Sequence, residues 1–244
     1  MTTPKTAMVL AAGLGTRMRP LTNDRPKALV EVGGRALIDH VLDRLAEAGV
    51  EKAVVNVHWF ADRLEAHLAA RRRGPEIVIS DERAELLETG GGLKKARPLL
   101  GDDPVFVANI DSVWTERRNA LADLVMQWHS APTTDAALLL ARKQGAIGFD
   151  GEGDFTIGFD GHLLFRRQDV IAPYAYMGVH ICRPDYADRG PEGPFSLSTL
   201  WRQSERESRL YGCVLDGEWM HVGDPQARDE AEARLLQTRR AETP

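Results

Sequence analysis

Cysteine is nearly missing from this chain: 244 residues carry two, Cys182 and Cys213. They form neither a CxxC pair nor a metal-ligand spacing, which excludes a disulfide framework and a thiolate zinc site and suits a reducing compartment. Long apolar runs are missing too, and none approaches the roughly 18 residues of a membrane span. The N-terminal MTTPKTAMVLAAG has one lysine and too short an apolar run for a signal peptide, so it reads as a strand in a cytoplasmic protein with no membrane partner. Nor is there an excess of positive charge: 31 Lys and Arg stand against 36 Asp and Glu, a net −5. Bulk binding to nucleic acid is disfavoured, and aromatics do not interleave with the basic residues. Repeats and low-complexity linkers are absent as well.

What is present is an alternation of short apolar runs with helical patterns, in a chain long enough to bury a proper core. AMVLAA (7–12), KAVVNV (52–57), EIVIS (76–80), PVFVAN (104–109) and AALLLA (136–141) read as buried strands. Between them RALIDHVLDRLAEAG (35–49), ADRLEAHLAARR (61–72), TGGGLKKARPLL (89–100) and LADLVMQWH (121–129) read as helices. The expected fold is α/β, a Rossmann-like, mostly parallel sheet with helices on both faces. Ligands of such sheets sit beyond the C-terminal strand ends, here 12–27, 56–60, 80–92 and 109–115.

After residue 145 the rhythm changes. GEGDFTIGFDGHLLFRR (151–167) reads as a hairpin on a DG turn, and RLYGCVLDGEWMHV (209–222) as a second. YAYMGVHIC (174–182) is another strand, SLSTLWRQSERES (196–208) a helix, and PQARDEAEARLLQTRR (225–240) a charged closing helix. The expectation is one domain over 1–244, the second half adding to the first sheet.

The stretch LAAGLGTRMRPLTNDRPKALV (10–30) leaves a buried strand, turns on Gly13 and Gly15, and presents Arg17, Arg19, Arg25 and Lys27. A P-loop would need GK[ST] after the glycines, and a dinucleotide fingerprint a third glycine where Met18 stands. Both fail. What remains is a glycine turn whose amides can approach an anion, followed by Arg17 and Lys27, or else a solvated basic loop.

LAAGLGTRMRPLT with RPKALV resembles the signature of sugar-1-phosphate nucleotidyltransferases, and the resemblance covers nearly the whole chain. It implies the nucleotide-diphospho-sugar transferase fold, with 1–142 as a nucleotide-binding half and 143–244 as a sugar-binding half with a C-terminal helix. Larger members carry a left-handed β-helix, for which this chain leaves no room. By the resemblance, the backbone of Ala12, Gly13, Leu14, Gly15 and Thr16 holds the nucleotide, Arg17 the triphosphate, and Lys27 the transferring phosphate and the sugar phosphate. Glu82 and the Leu86–Leu87 backbone are placed at the base.

Nucleotidyl transfer between polyanions needs charge neutralisation, which Mg²⁺ on one or two carboxylates supplies. Asp111 follows PVFVAN, and Asp224 lies in WMHVGDP (219–225). Each has another reading: Asp111 as a strand end, Asp224 before Pro225 as a helix N-cap. The family has aspartates in both places, which implies that they are metal ligands. One departure stands out: the family commonly reads NGD where this chain has Asn109-Ile110-Asp111, and isoleucine closes off the positive φ that glycine allows.

On the sugar side, LETGGG (87–92) resembles a subgroup that pairs UTP with N-acetylmuramate-1-phosphate or GTP with mannose-1-phosphate. WTE (114–116) and GDF (153–155) lean towards the muramate branch and peptidoglycan recycling. Glu88, Thr89 and the Gly90 amide are the sugar candidates, with Asn109 and Asp154; Asp154 also suits a hairpin start. His58 and Trp59 are read as packing. The substrates implied are a nucleoside triphosphate and a sugar-1-phosphate, with mannose-1-phosphate guanylyl transfer, another such pair or a non-catalytic nucleotide-sugar sensor as alternatives. Oligomeric state is left open.

Overall fold

The computed structural model describes residues 2–242. The chain runs β1 (Thr6–Leu10), the two-residue ladder β2 (Glu31–Val32) and β3 (Arg35–Ala36), α1 (Leu37–Glu47), β4 (Lys52–Val57) and α2 (Ala61–Ala70). It continues with β5 (Glu76–Asp81), α3 (Glu88–Leu100), β6 (Val105–Asn109), β7 (Ser112–Glu116), α4 (Ala120–Ser130) and β8 (Ala136–Arg142). The second half adds β9 (Phe155–Ile157), β10 (Leu163–Phe165), β11 (Tyr174–Cys182), α5 (Ser198–Arg206), β12 (Leu210–Val214), β13 (Gly217–His221) and α6 (Pro225–Glu242).

The nine-stranded main sheet follows the path β10-β9-β11-β6-β1-β4-β5, and β8, carrying β12 on its other side, also pairs with β11. β1 pairs in parallel with β4 and β6, β4 with β5, and β12 with β8; β11 runs against β6, β8 and β9, and β9 against β10. The expected mostly parallel sheet is present, and the second half completes it.

Strand periodicity builds two cores. Ala7, Val9, Ala53, Val55, Phe106 and Ala108 face one side, where α1 brings Leu37, Ile38, Val41, Leu42 and Leu45 and α4 brings Leu121, Leu124 and Trp128. Met8, Val54, Val105 and Val107 face the other, against Leu93, Ala96 and Leu100 of α3 and Leu200 and Trp201 of α5. Burying each such Leu or Ile is worth about 1.5–3 kcal/mol. With apolar residues on both faces, the strands read as continuous runs.

The 151–167 hairpin forms, with Leu163 opposite Ile157 and Phe165 opposite Phe155. The 209–222 hairpin does not. β12 adds to β8, while β13 pairs antiparallel with β7, Trp219 opposite Trp114 and His221 opposite Ser112. The Asp216–Gly217 turn carries the chain from one sheet to the other. Alternation and a DG turn mark two strands and a bend between them but do not choose their partners. This ribbon brings the C-terminal end of β13 beside the end of β6.

Candidate active site

β1 ends where the chain must turn, and the turn depends on Gly15. Its φ is +62°, and an added Cβ would lie 3.0 Å from Lys27 Cβ and 3.1 Å from Thr22 Cγ2. Gly15 O accepts from Thr22 Oγ1 at 2.8 Å and from Met18 N at 3.0 Å, closing a 3-10 turn over Thr16–Met18. Glycine thus permits the left-handed conformation and the close passage of Lys27. The Ala11 and Ala12 amides donate to Asn56 Oδ1 at 2.6 and 3.2 Å. Those of Gly13, Leu14, Gly15 and Thr16 donate to no other described residue.

Ala12, Gly13, Gly15 and Thr16 line a cleft of about 430 Å³ beyond the ends of β1, β4 and β6, with Arg17, Lys27, Asn56, Asn109 and Asp111 in its wall. Arg17 is exposed and without an ion-pair partner among the described residues. Of the other basic residues singled out in the sequence, Arg25 pairs with Asp24 at 3.0 Å, and Arg19 is not in the wall.

Lys27 Nζ donates to Asp111 Oδ2 at 2.8 Å, with both side chains largely buried. Burial pushes the Asp111 carboxyl up, but the positive field of Lys27 and His221 and the Lys27 hydrogen bond outweigh it and leave it below the usual carboxylate range. Ile110 is not among the positive-φ residues; it packs into the core at 5% exposure and also borders the cleft. The turn therefore has no need of glycine at 110.

Val222 N donates to Asp111 O at 2.9 Å, which ties the end of β13 to the end of β6. Asp224 follows, capping α6 through Oδ1, which accepts from Ala227 N at 2.9 Å. Its Oδ2 makes no hydrogen bond to a described residue, so capping and metal binding are compatible. His221 stands within the fields of Asp111, Asp224, Lys27 and Arg17, and burial is the main cause that lowers its pKa. Asp111 lines the cleft and Asp224 follows Gly223, which also lines it; these are the carboxylates that would hold a divalent cation completing its shell with water and phosphate oxygens.

Glu82 does not reach the cleft. It is fully buried; Oε1 accepts from Asn56 Nδ2 at 2.8 Å and Oε2 from Leu87 N at 3.3 Å. Burial raises its pKa, only partly offset by those donors. Glu82, expected at the base, is therefore outside the cleft wall, as is Leu87, while Leu86 borders it. His58 Nδ1 meets Glu82 O at 2.7 Å, the packing role expected of it.

The three glycines of LETGGG are close-packing positions. Gly90 N and Gly91 N both donate to Phe195 O, at 2.8 and 3.2 Å, so neither amide is available to a sugar. A Cβ on Gly90 would run into the Phe195 ring, one on Gly91 would lie 2.6 Å from Gly193 O, and one on Gly92 2.9 Å from Glu82 Oε1. Glu88 and Thr89 do face the cleft. Glu88 has φ +58°, unusual for a residue with a Cβ, and its exposed carboxylate has no partner among the described residues. Thr89 Oγ1 accepts from Leu197 N at 2.9 Å, which seats Ser196 in the cleft wall.

Asp154 stands apart from the cleft, at the hairpin start. Its Oδ2 accepts from Tyr176 N at 2.9 Å, and burial raises its pKa. Leu14 is 41% exposed and outside the cleft wall. The structure therefore brings together Ala12, Gly13, Gly15, Thr16, Arg17, Lys27, Glu88, Thr89, Asn109 and Asp111, with Asp224 next to Gly223 at the rim. It leaves Leu14, Glu82, Leu87, Gly90 and Asp154 outside. Sequence reasoning missed Asn56, Ser196 and His221; a lone polar residue in the apolar run KAVVNV was the available signal for Asn56, and Ser196 had none.

The MobA-like NTP transferase domain family matches residues 7–149. The chain is 57% identical over 237 residues to the N-acetylmuramate alpha-1-phosphate uridylyltransferase of Caulobacter vibrioides, covering 96% of this chain and 98% of that one. It is 34% identical to the protein of the same name from Neisseria meningitidis serogroup B, covering 93% and 96%. The solved structure of HddC from Yersinia pseudotuberculosis in complex with GMP-PN shares the fold, with a TM-score of 0.73 at 18% identity, covering 94% of this chain and 99% of that one. Among the described residues, no helix is long and apolar enough to cross a membrane.

Proposed function

The chain belongs to the MobA-like NTP transferase domain family, and from that premise we propose that it transfers the uridylyl group of UTP to N-acetylmuramate α-1-phosphate. A phosphate oxygen of the sugar-1-phosphate bonds to the α-phosphorus, the bond to the bridging oxygen breaks, and pyrophosphate leaves. The product is a UDP-sugar, which suits the return of cell-wall sugar to peptidoglycan synthesis. The choice of UTP and the muramate phosphate rests on the 57% identical relative; the reaction class rests on the Lys27–Asp111 contact at 2.8 Å beneath the glycine turn.

The chain's own residues supply position and charge. The open amides from Gly13 to Thr16 face the phosphates, and the Arg17 guanidinium offers a planar fork for their oxygens. Lys27 gives up Asp111 and moves its charge to the phosphate oxygens that gain electron density in the transition state. The attacking phosphate is already anionic, so no side-chain base is required. Asp111 and Asp224 Oδ2 fit a divalent metal, Mg²⁺ in our reading, which when bound supplies charge neutralisation at the α-phosphate. Glu88, Thr89 and Asn109 stand on the sugar side with Ser196, contributed from the second half of what we take to be one domain.

The test is pyrophosphate release with Mg²⁺ across four nucleoside triphosphates and a panel of sugar-1-phosphates. Release with UTP and N-acetylmuramate-1-phosphate supports the full reading. Release with GTP and mannose-1-phosphate keeps the mechanism and moves the substrate. Nucleotide binding without release from any pair favours a sensor.

A further inference from the structure

Glu82 and Asn56 are buried, polar and coupled, and the transfer mechanism uses neither. The Asn56 amide is satisfied in one polarity: Oδ1 accepts from Ala11 N and Ala12 N, and Nδ2 donates to Glu82 Oε1. Glu82 passes the connection on, since Oε2 accepts from Leu87 N. One chain of hydrogen bonds thus links the entrance of the glycine turn, the end of β4 and the loop that opens α3. Gly92 presses on it directly, for a Cβ there would lie 2.9 Å from Glu82 Oε1 and 3.0 Å from Asn56 Nδ2. Asn56 and Glu82 are almost fully buried, at 2% and 0% exposure, so displaced bonds are not replaced by water at no cost.

We infer that Asn56 and Glu82 are a positioning pair for the nucleotide: they hold the Gly13–Thr16 amides and the Leu86–Leu87 backbone at a fixed separation across the cleft. This rests on the reading that the cleft takes a nucleoside triphosphate. Neither side chain need touch the phosphates. Ala11 and Ala12 run directly into the open amides, and Leu87 runs into Leu86 and Glu88, both in the cleft wall. A misplacement of about 1 Å in such groups can cost about 100-fold in rate.

The polarity of the chain gives a test that simple loss of packing does not mimic. In Glu82→Gln the new NH₂ faces either Asn56 Nδ2 or Leu87 N, donor against donor. In Asn56→Asp two carboxylates face one another across a 2.8 Å contact. In the double variant Asn56→Asp with Glu82→Gln every bond returns: the aspartate accepts from Ala11 and Ala12 and from the glutamine NH₂, and the glutamine oxygen accepts from Leu87. Shape and net charge match the parent pair.

The experiment is calorimetric titration of the full chain and the three variants with UTP and Mg²⁺, together with melting temperature and, where turnover exists, KM for each substrate. Each single variant is expected to bind UTP at least about tenfold more weakly. KM for the nucleotide should rise while KM for the sugar phosphate stays within about twofold, and the double variant should recover UTP affinity. Single variants that bind UTP like the parent overturn the pair, as does a folded double variant that binds no better than the singles. A parent chain that binds UTP but transfers to no sugar phosphate overturns the reaction reading and leaves the pair standing. A parent that binds no nucleotide overturns both.

Discussion

Lys27 Nζ donates to Asp111 Oδ2 at 2.8 Å across 84 residues of sequence, and Gly15, with φ +62°, lets the turn pass close against Lys27. The charge and the hydrogen bond of Lys27 help hold the Asp111 carboxyl below the usual carboxylate range. Lys27→Met leaves Asp111 largely buried without a counter-charge, which should cost about 2 kcal/mol in stability. It should also lower turnover by at least about 100-fold, since the cation proposed to stabilise the transferring phosphate is gone. Urea unfolding and pyrophosphate release read the two effects separately. Unchanged turnover would detach Lys27 from the chemistry.

Asp224→Asn separates two roles of one side chain. Asparagine caps a helix about as well as aspartate, so the bond from Ala227 N and the melting temperature should survive. The carboxylate oxygen proposed for the metal is lost, and turnover should fall by orders of magnitude. A variant that melts normally and stays fully active would leave Asp224 as a cap alone.

Gly90→Ala tests whether LETGGG is a packing device. The new methyl meets the Phe195 ring, and Phe195 also carries the carbonyl that Gly90 N and Gly91 N share. Overpacking here should destabilise by about 1–3 kcal/mol, seen as an earlier urea midpoint. A variant with parent stability and a raised KM for the sugar phosphate would return Gly90 to the ligand.

How much of this was legible in the sequence differs from element to element. β1, β4, β6 and β8 were readable because apolar residues on both faces make unbroken runs, and the strand-end rule then located the cleft. Arg17, Lys27 and Asp111 were named through the family resemblance, and all three lie in the cleft wall. Glu82 and Gly90 were not legible: each sits in a ligand-edge segment, and only the fold shows Glu82 turned inward to Asn56 and Gly90 turned to Phe195. Asp154 was balanced between two roles, and its bond to Tyr176 N places it at the hairpin. The partner of β13 was equally hidden, because pairing with β7 spans about a hundred residues and leaves no local mark.

His180 gives the pH dependence of stability. Its ring is fully buried against Trp201, with Nδ1 on the Tyr176 hydroxyl at 2.8 Å, and burial pushes its pKa down to about 3. An unfolded histidine titrates near about 6.5, so between those values only the unfolded chain takes the proton. Stability therefore falls as pH drops through about 6.5 and goes on falling to about 3, with this residue contributing a slope of about 1.4 kcal/mol per pH unit. Urea unfolding at pH 7 and pH 5 should show His180→Phe less acid-sensitive than the parent by that slope. Equal slopes would contradict a neutral buried ring.

The most direct measurement incubates the chain with UTP, N-acetylmuramate α-1-phosphate and Mg²⁺ and quantifies both products, beside Lys27→Met. The account predicts one pyrophosphate for each UDP-sugar formed, and close to none of either from the variant. Phosphate or UDP without the UDP-sugar, or equal yields from parent and variant, would contradict it.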